Sequence, residues 1–270
     1  MKTINKGVLT IDNTTMDYVA FGKGSKPLVL VPGLGDGLKT VKGTGFLMSR
    51  IYKQFSRDYR VYVFSRRNNL PQNFSTRDMA NDLKKALQSL RLGTVDLIGV
   101  SQGGMISQFF AIDYPQMVNK LVIAISIAKP NPLFTNVISR WIDLAQKGAY
   151  KSLFIDTLEK TYVGKRLKRT RWFYPLLTLF GKPKSFDRFL VQARSCLNHH
   201  AYDELEKIKC LTLVVGGRKD QIVGSDSARE IAEKINDADL IEYPKLGHGA
   251  SDRKVFIEDV LAFLRRDNRR

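Results

Sequence analysis

Three residues set far apart in this chain of 270 residues could do covalent chemistry together, each in a loop that follows an apolar run. Ser101 stands in Gly99-Val100-Ser101-Gln102-Gly103, a G-x-S-x-G pentapeptide. Asp220 stands in Gly216-Gly217-Arg218-Lys219-Asp220-Gln221, and His248 in Leu246-Gly247-His248-Gly249. A serine hydroxyl is a poor nucleophile near neutral pH. It needs a base to take its proton, and the base needs a carboxylate to hold its tautomer. Serine, aspartate and histidine in that chain order are one version of such a triad. The negative charge that develops on an attacked carbonyl oxygen also needs two aimed N–H donors. The expected donors are the backbone N–H groups of Gln102, the residue after the nucleophile, and of Leu34 in Gly33-Leu34-Gly35. Both are backbone contributions, so the side chains of Gln102 and Leu34 are expected to be free to line a pocket.

The pentapeptide alone is a weak signal, because glycine and serine are common residues. Its neighbours give it weight. Residues 95–98 (Val-Asp-Leu-Ile) read as a buried strand, and 104–112 as a helix stopped by Tyr114-Pro115. A serine on a sharp strand-to-helix turn sits in a strained conformation, which requires small neighbours at Gly99 and Gly103. Such a turn lifts Oγ above the sheet and sets it beside the first N–H groups of the helix, where negative charge is favoured. Gly104 would let the helix pack closely on the sheet.

The elements that must position these residues alternate. Residues 8–11 and 16–20 flank Asp12-Asn13-Thr14-Thr15 as an N-terminal hairpin. Strands are expected at 27–31, 60–64, 120–125, 210–215 and 239–243. A helix is expected over 76–92, with Met79, Leu83, Leu87 and Leu90 on one face, and a closing helix over 255–264. This pattern predicts an α/β fold with a mostly parallel central sheet and helices on both faces. Asp220 and His248 then fall on the carboxyl edge of the sheet together with Ser101, where open α/β sheets bind ligands. From 129 to 207 the pattern is helical only, with helices marked by Val137 to Ala145, by 150–162 and by 186–197. The expected organisation is a core of 1–128 and 208–270 with a helical cap, 129–207, inserted into it.

Blander readings exist for each residue. An aspartate in a loop after a strand is common, so Asp220 is the least specific of the three. Asp226, Asp237 and Asp252 are alternative acids, Asp226 reading as a helix cap. His199 and His200 lie beside Ala201 and Tyr202 and read as helix-end residues, which leaves His248 as the base. A run such as Gly33 to Gly37 is, by itself, a flexible turn.

Composition bounds the rest. The chain is 43% hydrophobic with two tryptophans, so it is an ordinary globular protein. Its N-terminus is polar and lacks the apolar stretch of a signal peptide, and no window reaches the roughly 18 apolar residues of a membrane span. Two cysteines without metal-ligand spacing, Cys196 and Cys210, suit a reduced, cytoplasmic setting, and neither a metal nor a cofactor is expected. The net charge is +18, and residues 160 to 194 hold ten basic residues and one acid, Asp187. Such a field attracts anionic partners, although a solvated basic helix face is the simpler reading. No nucleic-acid-binding signature accompanies it, so no nucleic acid is expected. Trp172 to Phe180, flanked by basic residues, reads first as a cap helix covering the pocket. Its composition also suits peripheral contact with an anionic membrane.

The chain resembles the α/β-hydrolase superfamily over nearly its whole length. The likeness rests on Val31-Pro32-Gly33-Leu34-Gly35, Gly99-Val100-Ser101-Gln102-Gly103-Gly104, Asp220-Gln221-Ile222-Val223 and Gly247-His248. The resemblance implies a capped Ser–His–Asp hydrolase with an acyl-serine intermediate. Pro32-Gly33 replaces the His-Gly of many members but leaves the backbone donor intact. Ser65-Arg66-Arg67-Asn68 stands where relatives often carry an Asp-x-Arg-Gly-type loop, and is read as a feature of the substrate entrance. The expected activity is hydrolysis of a small carboxylic ester, with an acyl chain and an anionic head as one case. Phe134, Trp141, Phe154, Trp172 and Phe173 are candidate pocket walls or cap core. Thioester, C–C bond and perhydrolase chemistry use the same triad, and a binding protein that keeps the fold is the non-enzymatic alternative. Aspartate-dependent dehalogenation and epoxide opening are disfavoured by the serine.

Overall fold

The computed structural model describes residues 4–178 and 181–267. The chain opens with the strands β1 (Asn5–Ile11), β2 (Thr14–Phe21) and β3 (Lys26–Val31) and the helix α1 (Val41–Ile51). It continues through β4 (Tyr59–Arg67), α2 (Thr76–Ser89), β5 (Val95–Val100), α3 (Gln102–Asp113) and β6 (Val118–Ala124). Five helices follow: α4 (Pro132–Gln146), α5 (Tyr150–Thr161), α6 (Gly164–Arg171), α7 (Tyr174–Leu177) and α8 (Asp187–Leu197). The chain then returns to β7 (Leu211–Gly217), α9 (Ser227–Lys234), β8 (Asp239–Tyr243) and α10 (Lys254–Leu264).

The strands form one eight-stranded sheet in the order β1-β2-β4-β3-β5-β6-β7-β8. The β1–β2 and β2–β4 pairs are antiparallel and every other pair is parallel. Alternation along the central strands splits the core between the two faces of the sheet. Val29, Val31, Leu97, Leu121, Ile123 and Val214 join the apolar cluster under α2, α3 and α9. Leu28, Leu30, Ile98, Val122, Leu213 and Val215 join the cluster under α1 and α10. Because both faces are covered, these strands read as continuous apolar runs. α2 is stopped from fraying at its start by a capping box, Ser75 and Asp78 each accepting the other's backbone N–H.

α1 escapes the sequence reading because Gly43 and Gly45 dilute its helical pattern. The order of strands reverses direction between β3 and β5. The loops that leave these two neighbours therefore face each other across the carboxyl edge, the position that favours a site in open α/β sheets. No helix of the described residues is long and apolar enough to cross a membrane.

Candidate active site

β5 ends at Val100, and the next residue turns the chain sharply into α3. Ser101 has φ +56° and ψ −120°, a left-handed conformation that a non-glycine residue adopts only when its surroundings force it. Its N–H donates to the Ala124 carbonyl at 2.9 Å, and its own carbonyl accepts from Ser126 Oγ at 2.8 Å. Ile125, just past β6, is held at φ +45°, unusual for a β-branched residue. That strained step delivers Ser126 to the serine turn. Gly103 explains its own identity: a Cβ there would run into the Val31 carbonyl oxygen at the end of β3.

The elements at the far end of the sheet supply the other two side chains. The loops after β7 and β8 are zipped together, Arg218 N–H donating to Tyr243 O at 3.0 Å and Lys219 N–H to Leu246 O at 2.9 Å. A Cβ on Gly247 would lie 2.8 Å from the Lys219 carbonyl, so only glycine permits this approach. The zipper sets His248 over Ser101. His248 Nε2 lies 3.0 Å from Ser101 Oγ, and His248 Nδ1 lies 2.8 Å from Asp220 Oδ2. A carboxylate only accepts, so Nδ1 carries the proton and Nε2 is left to accept from the serine hydroxyl. The Asp220 side chain is fully buried, and its Oδ1 accepts from Ile222 N–H at 2.8 Å and Val223 N–H at 3.0 Å. The structure thus brings together the serine, histidine and aspartate chosen from the sequence.

His199 and His200 stand apart from this group. His199 is buried between Thr76 Oγ1 (2.9 Å from Nδ1) and Gln108 Oε1 (3.2 Å from Nε2), and burial lowers its pKa to about 3. It is a neutral structural histidine. Asp226 occupies the residue before α9 but makes no capping hydrogen bond, its carboxylate turning to Arg218 instead.

The loop after β3 approaches the serine closely. A Cβ at Gly33 would lie 3.2 Å from Ser101 Cβ. Leu34 opens a 3-10 turn, Leu34–Gly37, and Gln102 is the first residue of α3. First-turn N–H groups have no partner within their own helix, so both expected donors start their elements beside the nucleophile. Their side chains are another matter. Leu34 is buried among Met105, Phe134 and Phe189. The Gln102 side chain is 1% exposed and fully engaged, contrary to the expectation that it lines a pocket. Its Nε2 donates to the Gln192 carbonyl at 2.8 Å and to Cys196 Sγ at 3.2 Å, both on α8. Its Oε1 accepts from Arg66 Nη2 at 2.9 Å. Burial pushes the Cys196 thiol up to about 12, so it stays protonated in this contact.

Arg66 and Arg67 also depart from the reading as an entrance feature, because both are buried. Arg66 Nη2 donates to the Pro32 carbonyl as well as to Gln102, and its backbone N–H donates to Asp36 Oδ2 at 3.0 Å. Burial lowers its pKa to about 10, with Asp36 opposing that fall, so it remains a cation at neutral pH. Arg188 of α8 reaches the same Asp36 oxygen at 2.5 Å and the Arg66 carbonyl at 2.9 Å. Arg67 forms a bidentate pair with Asp82 of α2. Arg66 and Arg188 therefore pin the loop after β3, the start of α3 and α8 to one another, while Arg67 ties the end of β4 to α2. Sequence reasoning missed Asp36, Arg66, Ser126 and the Gln102 side chain. One signal was available for Arg66, since a charge that continues a buried strand must have a built partner.

The aromatic residues of the helical insertion divide in two. Phe134 and Trp141 are core, and Phe154 packs on Tyr150 with ring centroids 5.6 Å apart. Trp172 and Phe173 project into solvent, so the described part of the 172–180 stretch, 172–178, is not the buried cover expected. Leu179 and Phe180 of that stretch lie outside the described residues. Beside the His248 loop runs a cleft of about 410 Å³ lined by Lys165, Lys219, Lys245 and Arg253 among others.

Comparison with known proteins agrees with this architecture. The chain is 26% identical over 270 residues to the 2-hydroxy-6-oxononadienedioate/2-hydroxy-6-oxononatrienedioate hydrolase of Burkholderia vietnamiensis, covering 92% of this chain and 90% of that protein. The like-named enzyme of Comamonas testosteroni is 26% identical over 182 residues, 63% of this chain and 62% of its own length. An alpha/beta hydrolase from a Medee basin deep-sea metagenome library superposes with a TM-score of 0.83 at 21% identity, covering 98% of this chain and 99% of that one. The family model described as alpha/beta hydrolase fold matches residues 26–254, the span that carries β3 through the His248 loop, and the chain belongs to that family.

Proposed function

We propose that this protein is a serine hydrolase that cleaves a carboxylic ester through an acyl-serine intermediate. The observation that carries the reading is the hydrogen-bonded chain from Ser101 Oγ through His248 to the buried Asp220 carboxylate. Ser101 Oγ attacks the ester carbonyl carbon while His248 Nε2 takes its proton. Asp220 holds the ring and stabilises the imidazolium that forms. The Leu34 and Gln102 N–H groups receive the oxyanion. His248 then returns the proton to the leaving alcohol and activates water to release the acid. Residues 129–207 serve as the cap, tied to the oxyanion side of the site through Gln102 and Arg188. The five cations lining the cleft beside the His248 loop, Lys165, Arg166, Lys219, Lys245 and Arg253, favour a small-molecule substrate with an anionic group.

A second reading is hydrolysis of a C–C bond on the same triad. It draws on the Burkholderia relative, whose name gives a 2-hydroxy-6-oxo dienedioate as its substrate. The first experiment is labelling with a fluorophosphonate probe, wild type beside Ser101→Ala, with a p-nitrophenyl ester chain-length series in parallel. Labelling lost in Ser101→Ala, with turnover peaking at one acyl length, is expected. A 2-hydroxy-6-oxo dienedioate hydrolysed far faster than any ester would move the assignment to C–C cleavage. A folded wild type that takes no label would leave the binding-protein reading in its place.

A further inference from the structure

We infer that the tip of the helical insertion, the end of α6 together with α7, is a docking surface for an anionic lipid bilayer. The tip exposes apolar side chains side by side: Trp172 at 86%, Leu176 at 56%, Phe173 at 52% and Leu177 at 39%. Contiguous exposure of this kind is uncommon on a soluble monomer and marks a surface with a partner. Trp141, the other tryptophan, is 4% exposed, so Trp172 departs from the chain's own pattern.

The apolar residues continue a basic helix face. On α6, Lys165, Lys168 and Arg169 are exposed at i, i+3 and i+4, and the next residue on that face is Trp172. Lys182 and Lys184 are exposed on the return side. Two acids on neighbouring elements are already paired with cations, and Asp187 accepts from Ser185 Oγ. Glu159 is held by Arg171 and by the Tyr174 hydroxyl, and Asp252 by Arg166. What remains is a set of solvated cations before and after an exposed tryptophan, phenylalanine and two leucines in the chain. Aromatic side chains settle at the headgroup level of a bilayer, and basic side chains beside them are drawn to anionic lipid.

This combination selects among occupants. A second copy of the chain would bring two surfaces of the same sign together, on molecules that each carry a net charge of +18. A nucleic acid backbone would satisfy the lysines but offers no apolar phase for Leu176 and Leu177. An anionic bilayer satisfies both halves of the surface. The inference does not depend on the proposed acyl chemistry, so Ser101→Ala should dock as the wild type does.

The test follows the protein's tryptophan emission and its sedimentation with vesicles. Vesicles of phosphatidylcholine alone are compared with a phosphatidylcholine–phosphatidylglycerol mixture. The mixed vesicles are expected to carry the protein down, blue-shift the emission and shield it from acrylamide, while phosphatidylcholine alone does little. Trp172→Phe should abolish the shift while retaining sedimentation, because Trp141 is already buried. Replacing Lys168 and Arg169 with alanine should lower partitioning about 25-fold, at roughly fivefold per charge near the surface. All these positions are exposed, so circular dichroism should be unchanged. Absence of sedimentation with either vesicle would overturn the inference. So would binding that Lys168→Ala/Arg169→Ala and Phe173→Ser/Leu176→Ser leave untouched, since docking would then lie elsewhere. A lipid-free dimer dissociated by Phe173→Ser/Leu176→Ser would assign the patch to self-association instead.

Discussion

Replacing Asp220 with asparagine tests the proposed chemistry without moving its parts. Asp220 Oδ1 accepts two backbone N–H groups, from Ile222 and Val223, at 2.8 and 3.0 Å. In Asp220→Asn only the amide oxygen can keep those two bonds, so the NH2 group must face His248 Nδ1. Nδ1 then has to accept, the ring proton moves to Nε2, and Nε2–H points at Ser101 Oγ, which can no longer give up its proton to it. The atoms stay in place and the tautomer is wrong. The expected loss in kcat is about a thousand- to ten-thousandfold, or about 4–5.5 kcal/mol of barrier. Stability should change far less. Two bonds to a charged acceptor become bonds to a neutral one, which costs about 1–2 kcal/mol and lowers Tm by about 2–6 °C. The assay is kcat with a short p-nitrophenyl ester, with fluorophosphonate labelling rate and a thermal melt alongside. An Asp220→Asn protein within tenfold of wild type, while Ser101→Ala is inactive, would refute the orienting role of Asp220.

Other outcomes follow from the same geometry. Gly103→Ala should destabilise the fold by about 3 kcal/mol or yield no soluble protein, because its Cβ has nowhere to go but the Val31 carbonyl. A wild-type urea midpoint for that variant would contradict the close approach of α3 to β3. Arg66→Met should cost about 3 kcal/mol by urea titration and lower kcat more than it raises KM, since Arg66 bridges Pro32 and Gln102. Unchanged kcat would mean that neither oxyanion donor depends on that bridge. His199 binds its proton in the unfolded chain near pH 6.5 but in the folded chain only near pH 3. Stability contributed by its neutral form is therefore present above pH 6.5 and is lost as pH falls from 6.5 toward 3. Between pH 7 and pH 5 that loss is about 2 kcal/mol. His199→Gln should show a correspondingly smaller drop between those two pH values, and an equal drop would remove His199 as the cause.

The sequence by itself determined the elements whose patterns are local. β3, β5, β6 and β7 are buried on both faces, so apolar runs of four to six residues marked them. The serine turn announced itself because a strained backbone needs glycine at fixed offsets, and those glycines are adjacent in sequence. Parallel pairing then implied that loops ending in Asp220 and His248 share an edge with Ser101. Tertiary structure alone decided which side chains are used up. Gln102 looked free because nothing in its neighbourhood along the chain names Gln192 or Cys196, about ninety residues later. Arg66 and Arg67 read as part of a substrate entrance because burial of an arginine depends on where distant carbonyls and carboxylates come to lie. The same holds for Trp172, whose apolar neighbours suggested a buried helix, whereas neither α6 nor α7 buries a side chain in the fold. Periodicity records which face of an element is apolar, whereas contact with another element is a property of three dimensions.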